Sequence, residues 1–134
     1  MREIQEKRRA IMAARQLSSV MNQTKWAKLF QELAALHSLT ICVRYKQIDS
    51  DELFGFSPVW WDQLLEQSAW IEWLDIDPII REKRGRLMPD YKTDRSEDII
   101  TILKRHNIHC SLESSYFRVW GYIVPDSHPL WVNL

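Results

Sequence analysis

The hydrophobic period changes between residues 22 and 46, and this change decides the fold class. The first part is NQTKWAKLFQELAAL at residues 22–36, where apolar residues recur at the i, i+3, i+4, i+7 spacing of an amphipathic helix. Asn22 is a suitable N-cap for that helix. The second part is ICVRYK at residues 41–46, in which apolar and polar side chains alternate. This alternation predicts a strand, within residues 39–48, with one face toward solvent.

The remaining segments extend this alternation of helices and strands. We predict a helix over residues 2–17, a short helix over 58–67, a strand over 69–81, a helix after a capping box at 94–97, and a hairpin formed by 108–113 and 116–124. The connections are short, which favours antiparallel pairing. The sequence therefore predicts an α+β fold, with N-terminal helices and one later helix packed on a mainly antiparallel sheet of about four to five strands.

The length of 134 residues is typical of one domain, so we expect a single α+β domain over residues 1–134. Residues 1–18 are expected to form a helical N-terminal extension that is docked only loosely. A chain of this size can bury a sufficient core without disulfides or metals. Cys42 and Cys110 are therefore expected to act as small apolar residues, with a single disulfide between them as the alternative.

Two separated stretches carry a family resemblance. One has the pattern SVMN-x-TKW and runs from Ser19 to Trp26; the other contains IEWL at 71–74, RGRL at 84–87 and VWGY at 119–122. In this order they resemble a bacterial family of small proteins of unknown function, over most of residues 19–123. The resemblance implies no particular activity. Residues 49–70 and the tail beyond Tyr122 depart from it.

The sequence lacks the motifs of cofactor and metal sites. Its three glycines are isolated, whereas a phosphate-binding loop needs several before a helix. His106, His109 and Cys110 are close in sequence, but a zinc site normally needs four ligands. We expect His106 to lie at a helix end and Cys110 to pack in a strand. The prediction is a chain with no cofactor and no metal.

Asp75 and Asp77 are the best candidates for paired catalytic carboxylates. Their spacing of two residues is expected to put both on the outer face of a strand, with Leu74 and Ile76 facing inward. Two carboxylates can perform acid–base chemistry, but a catalytic pair also needs burial and partners that shift its pKa values. We therefore expect an ordinary solvated face and no enzymatic activity.

The charges are unevenly distributed although the formal net charge is zero. Residues 49–77 contain eight acids and no Lys or Arg. Residues 1–17 have five bases against two acids, and residues 81–95 have six against three, so each of these segments has a net charge of +3. An acidic stretch repels nucleic-acid phosphates and attracts a basic protein.

The acidic stretch also contains several aromatic residues, which provide large contact areas in protein interfaces. We predict that it forms a partner-binding surface. The candidate residues are Asp49, Asp51, Glu52, Trp60, Trp61, Asp62, Glu66, Asp75 and Asp77. The alternative is a solvated acidic face whose aromatic side chains turn inward.

These features favour a non-enzymatic protein-binding domain with a basic protein partner. One concrete form is an immunity protein that neutralises a basic bacterial toxin. The alternative function is a nucleic-acid-associated regulator that uses the basic segments 1–17 and 81–95, although the acidic stretch makes nucleic acid the less favoured partner. No apolar run approaches the about 18 residues of a membrane span, and no apolar core follows the basic N-terminus, so the expected location is the cytoplasm.

Overall fold

The structure is a computed structural model that describes residues 2–36 and 40–132. The described residues form four helices and eight short strands, with a one-turn 3-10 helix at Ser68–Trp70. In order they are α1 (Arg2–Arg15), β1 (Ser18–Ser19), α2 (Gln23–Ala35), β2 (Cys42–Gln47), α3 (Trp61–Glu66), β3 (Ile71–Asp77), β4 (Ile79–Glu82), β5 (Tyr91–Asp94), α4 (Ser96–Arg105), β6 (Cys110–Glu113), β7 (Tyr116–Trp120) and β8 (Tyr122–Ile123).

The main sheet has four strands in the order β2-β3-β7-β6, and all of its pairs are antiparallel. Two smaller antiparallel pairs, β1 with β8 and β4 with β5, lie outside it. The predicted α+β fold with a mainly antiparallel sheet is confirmed. None of the described helices is long and apolar enough to span a membrane.

The core forms between one face of this sheet and the helices. Strand alternation places Val43, Leu74, Ile76 and Val119 on that face, where they are fully or almost fully buried. The apolar stripe of α2 packs against them, as its spacing predicted. Asn22 caps this helix, since its Oδ1 accepts a hydrogen bond from the amide of Lys25 at 2.8 Å. The opposite face of the sheet carries the polar residues discussed below.

Helix α1 is attached differently from the other helices, because none of its residues is buried. Ile11 and Met12 pack against a small second cluster formed by Leu17, Ile48 and Tyr122. Hydrogen bonds from Arg15 to the Ile48 carbonyl and to Glu72 tie its end to the sheet. The predicted N-terminal helix is confirmed, and polar contacts contribute much of its docking.

Several element boundaries differ from the prediction. The short helix begins at Trp61, because Ser57 is held in a backbone bridge with Val43 instead of capping the helix. The strand predicted over 69–81 divides at Pro78, which has no N–H to donate to a ladder, and yields β3 and β4. At the start of α4, Asp94 accepts hydrogen bonds from Ser96. The first residue of the strand region predicted at 39–48 lies outside the described residues.

The hairpin β4–β5 was not predicted. Its two strands pair in register from Ile79 with Asp94 to Glu82 with Tyr91. Residues 81–92 are all exposed. Because neither face of this hairpin is buried, its sequence shows no alternation of apolar and polar residues. Two residues between the short β-prone runs could have indicated a turn. They are Gly85, whose φ is 141°, and Pro89.

Candidate functional site

The acidic stretch separates into an exposed part and a buried part. Residues 48–60 connect β2 to α3 and form no regular element. Asp49, Asp51 and Glu52 are exposed in this connection, and Asp62 and Glu66 are exposed on α3. Asp51 Oδ1 lies 3.9 Å from Lys46 Nζ, and its side chain is fully exposed. Five of the eight acids thus face solvent.

Large apolar side chains are exposed beside these acids. Trp60 is 78% exposed, Phe54 71% and Leu53 55%. Phe54 and Leu53 were not among the predicted partner-binding residues, although they lie directly after two acids. Trp61, which was among them, packs its ring 5.5 Å from that of Phe30 and belongs to the core periphery. The adjacent tryptophans point in different directions, so only Trp60 is available to a partner.

Asp75 does not lie on an outer surface, so its prediction as an accessible partner-binding residue is wrong. Its exposed fraction is 0%. Its Oδ1 accepts a hydrogen bond from Arg118 Nε at 2.7 Å, and its Oδ2 accepts from Arg44 Nε at 3.0 Å and Arg118 Nη2 at 3.1 Å. The sheet register places both arginines directly across from it, on β2 and β7. A buried carboxylate with this set of donors is a structural ion pair.

Aromatic rings complete the enclosure of this ion pair. The guanidinium of Arg118 lies 3.8 Å from the centre of the Trp73 ring, and that of Arg44 lies 4.8 Å from Phe56 and 4.9 Å from Tyr116. Burial alone would lower the pKa of Arg118, but its hydrogen bonds with Asp75 raise it above its ordinary value. Both arginines therefore have a structural role in the sheet. Together with the aromatic rings they shield the Asp75 carboxylate from water.

Two further acids are neutralised locally. Asp77 accepts hydrogen bonds from the Ile79 amide and from Arg81, and its side chain is only 18% exposed. Glu72 accepts hydrogen bonds from Arg15 at 2.7 Å and Lys46 at 2.9 Å. Burial would raise the pKa of Glu72, but these two bonds outweigh it and hold the pKa below 4.5. Asp77 is thus a poor partner-binding candidate, contrary to the predicted solvated pair.

The histidines and cysteines are separated by the fold. Cys110 is fully buried in the core, where burial raises its pKa to about 11. His106 ends α4 and contacts Glu32, while the His109 ring lies 6.0 Å from that of Trp131. Within residues 2–36 and 40–132, no group of three or more His, Cys, Asp or Glu side chains could hold a metal ion. The expected places of His106 and Cys110 are confirmed.

The exposed hairpin forms a second charged surface. Its bases include Arg81, Lys83, Arg84, Arg86 and Lys92, against Glu82 and Asp90. The apolar side chains of Leu87, Met88 and Tyr91 are 98%, 53% and 52% exposed on the same hairpin. The protein therefore presents an acidic and a basic surface, each with exposed apolar residues.

The two stretches that carry the family resemblance meet in space. Ser19 pairs with Tyr122 across β1 and β8, and the Val20 amide donates to the Gly121 carbonyl at 3.0 Å. Gly121 is required there, because a Cβ at this position would overlap the carbonyl oxygen of Ile71. This contact joins the start of α2 to the end of the sheet.

These elements define a small α+β domain in which helices cover one face of a four-stranded antiparallel sheet. The chain belongs to the family of unknown function DUF6678, whose pattern matches residues 8–126. That match includes α2, the main sheet and the hairpin. No curated protein and no solved structure matches the chain significantly.

Proposed function

We propose that this protein is a non-enzymatic binding domain that holds a basic protein through an exposed acidic surface. This acidic surface consists of Asp49, Asp51, Glu52, Leu53, Phe54, Trp60 and Asp62. The observation that carries the proposal is the exposure of Leu53, Phe54 and Trp60 among four carboxylates, with no Lys or Arg within residues 49–62. Scattered exposed apolar residues are common, but three within eight positions of an acidic connection favour an interface.

The two kinds of side chain have different roles in such an interface. Trp60 and Phe54 provide apolar area that a partner can desolvate, and aromatic anchors supply most of the energy in many interfaces. The carboxylates attract a basic partner from a distance and accelerate association. The acids that bind internal bases, Glu72, Asp75 and Asp77, are excluded from this role.

The partner class follows from this chemistry. A toxin that cleaves or binds nucleic acid needs a basic surface to contact phosphates. An acidic protein that covers this surface blocks the substrate, so an immunity protein is the specific form of the proposal. The partner is then a basic bacterial toxin, and binding takes place in the cytoplasm.

The first test is capture of partners from the source cells by the full tagged chain, followed by mass spectrometry. We expect a basic protein that is retained by the wild type and lost with Phe54→Ala or Trp60→Ala. Leu87→Ala is the matched control, since it removes an even more exposed apolar side chain outside the acidic surface. Equal retention by all variants, or the recovery of no basic protein, would contradict the proposal.

The second test measures binding of the purified partner. Removal of an aromatic anchor costs about 2 kcal/mol or more, so Trp60→Ala should weaken affinity by about thirtyfold or more. Asp49→Lys with Asp51→Lys should slow association and reduce its salt dependence. Asp126→Lys, an exposed acid in the tail, should change the association rate less.

A second candidate function is favoured by the exposed basic hairpin. β-ribbons contact nucleic acid in several protein classes, and this hairpin has three more bases than acids over residues 81–92. Helix α1 supports this function less, because Arg8 and Arg15 bind within the protein. Salt-dependent binding of DNA or RNA that is lost with Arg84→Ala and Arg86→Ala would favour the nucleic-acid function over the protein-binding one.

A further inference from the structure

The basic hairpin, residues 81–92 of β4, β5 and their connection, lies entirely at the surface. Each of its residues is exposed, whereas Ile80, directly before it, is buried in the core. A two-stranded hairpin that buries neither face is only marginally stable in water. A surface that covers this hairpin in an assembly would therefore stabilise it.

Most of the positive charge of the basic hairpin has no partner within the described residues. Arg81 is the exception, since it forms an ion pair with Asp77 at 2.9 Å. The other bases form no ion pair with any described residue: Lys83, Arg84, Arg86 and Lys92. With two acids against five bases, the hairpin has a net charge of +3. These bases are available to an acidic surface.

The acidic surface has the opposite charge and the same kind of apolar exposure. Residues 49–62 contain four acids and no Lys or Arg. Each surface has three exposed large apolar side chains, which are Leu53, Phe54 and Trp60 on the acidic surface and Leu87, Met88 and Tyr91 on the basic hairpin. The formal net charge of the whole chain is zero, so two copies do not repel each other overall. The two surfaces are thus complementary in charge and in apolar contact area.

Both surfaces lie on the same side of the molecule, beside β2 at the edge of the main sheet. Ser57, in the connection that carries most of the acidic surface, is bridged to Val43 on β2. A cleft beside Cys42 is lined by Pro58 from this connection and by Ile79–Glu82 from β4. Because the two surfaces are neighbours, a twofold axis can place each copy's hairpin against the other copy's acidic surface. Such a reciprocal contact closes, and it covers both surfaces of both copies.

We propose that the basic hairpin of one copy binds the acidic surface of a second copy, in a reciprocal twofold dimer. Leu87 and Met88 pack against Phe54 and Trp60, and the surrounding bases pair with the carboxylates. The dimer does not depend on the proposed function, because both surfaces belong to this chain. A foreign basic protein would compete with the second copy for the acidic surface.

The first test is size-exclusion chromatography with light scattering of the full purified chain over a range of concentrations. We expect the mass to rise with concentration from that of one chain to that of two. Sodium chloride at about 1 M, where the Debye length is about 3 Å, should shift the equilibrium toward the monomer. A chain that stays monomeric at every concentration in low salt would overturn the proposal.

The second test exchanges the charges of the two surfaces. Asp49→Lys with Asp51→Lys reverses the acidic surface, and Arg84→Glu with Arg86→Glu reverses the basic hairpin. Each double variant alone should be monomeric at concentrations where the wild type is dimeric, because like charges then face each other. An equimolar mixture of the two should form a dimer with one copy of each, since every contact again joins opposite charges.

A matched control separates this effect from the change in net charge. Lys28→Glu with Lys104→Glu changes the net charge as much as the hairpin reversal does, at exposed bases on α2 and α4. This variant should stay dimeric. If neither reversal dissociates the wild-type dimer, if the control dissociates as far as the reversals, or if the mixture forms no dimer, the proposed contact is wrong.

An uncharged substitution tests the apolar part of the contact. Leu87→Ala should raise the dissociation constant of the dimer several-fold, because it removes exposed apolar area at the centre of the hairpin. Leu130→Ala is its control, since Leu130 is 86% exposed in the tail, and it should leave the constant unchanged. Equal constants for both variants would count against the contact. Leu87 lies outside the acidic surface, so Leu87→Ala should still retain a foreign basic partner, and the two proposals can fail separately.

Discussion

Asp75 gains its role from residues that lie far from it along the chain. Arg44 is 31 positions away and Arg118 is 43 positions away, yet the sheet register brings both against the carboxylate. The two arginines stack in turn on aromatic rings of the same sheet face. The result is a hydrogen-bonded polar layer on the side of the sheet opposite the core. Such a layer is costly to break at any one member.

Asp75→Asn should lower the free energy of unfolding by about 3–5 kcal/mol, because it leaves two partly buried guanidinium groups without their counter-charge. Urea denaturation followed by tryptophan fluorescence measures the change. Asp49→Asn removes an exposed acid and should change stability by less than about 0.5 kcal/mol. Equal stabilities for the two variants would show that the ion pair contributes nothing.

Gly121 is needed for a close approach between backbones. A Cβ there would meet the Ile71 carbonyl and lie 3.3 Å from the Trp26 ring. Gly121→Ala should therefore destabilise the protein by about 1–3 kcal/mol through overpacking. Gly55→Ala is the control, since a Cβ at Gly55 meets no atom within 4 Å. Thermal unfolding of both variants provides the comparison, and a similar midpoint for both would contradict the steric argument.

At the scale of the elements, hydrophobic stripes and polar ties hold the helices in different ways. Helix α2 buries Trp26, Leu29, Phe30 and Leu33 in the core. Helix α1 buries no residue, and Glu72 links its Arg15 to β2 through Lys46. The docking of α1 is therefore expected to depend on the ionisation of one glutamate.

Because the pKa of Glu72 is lowered on folding, its contribution to stability is present above pH 4.5 and is lost as the pH falls through the lower folded value. At neutral pH the free energy of unfolding of the wild type should exceed that of Glu72→Gln by about 1–2 kcal/mol. This difference should shrink below pH 4.5. Denaturation at several pH values measures this. A difference that is constant across this range would contradict the assignment.

For the whole molecule, the sheet order determines how the two cysteines behave. Cys42 is on β2 and Cys110 on β6, at opposite edges of the four-stranded sheet. Three strand spacings separate them by roughly 14 Å, well beyond the reach of a disulfide. Both are free in the structure, and burial raises the pKa of each thiol.

A thiol reagent at pH 8 should therefore react slowly with the native protein, and with Cys42 before the fully buried Cys110. In denaturant without reductant, two thiols per chain should react. Mass spectrometry of the labelled peptides identifies the order. A chain without reactive thiols in denaturant would indicate an intramolecular disulfide and a different sheet arrangement.

Local patterns were sufficient to predict the α+β class, the α2 stripe with its Asn22 cap, and the β6–β7 hairpin. Hydrophobic period, capping and turn preferences act over a few residues, so they can be recognised in a short window. The hairpin β4–β5 was missed because its exposed residues have no apolar face to produce alternation.

Only the tertiary structure decided which of the acids are paired with bases and which face solvent. A count along residues 49–77 finds eight unopposed negative charges, but Glu72, Asp75 and Asp77 are neutralised by bases outside that stretch. The hydrogen bond from Arg8 to Tyr122 likewise joins segments that are 114 positions apart. Electrostatic pairing and cavities act through space, and a linear pattern carries no record of which distant side chains become neighbours.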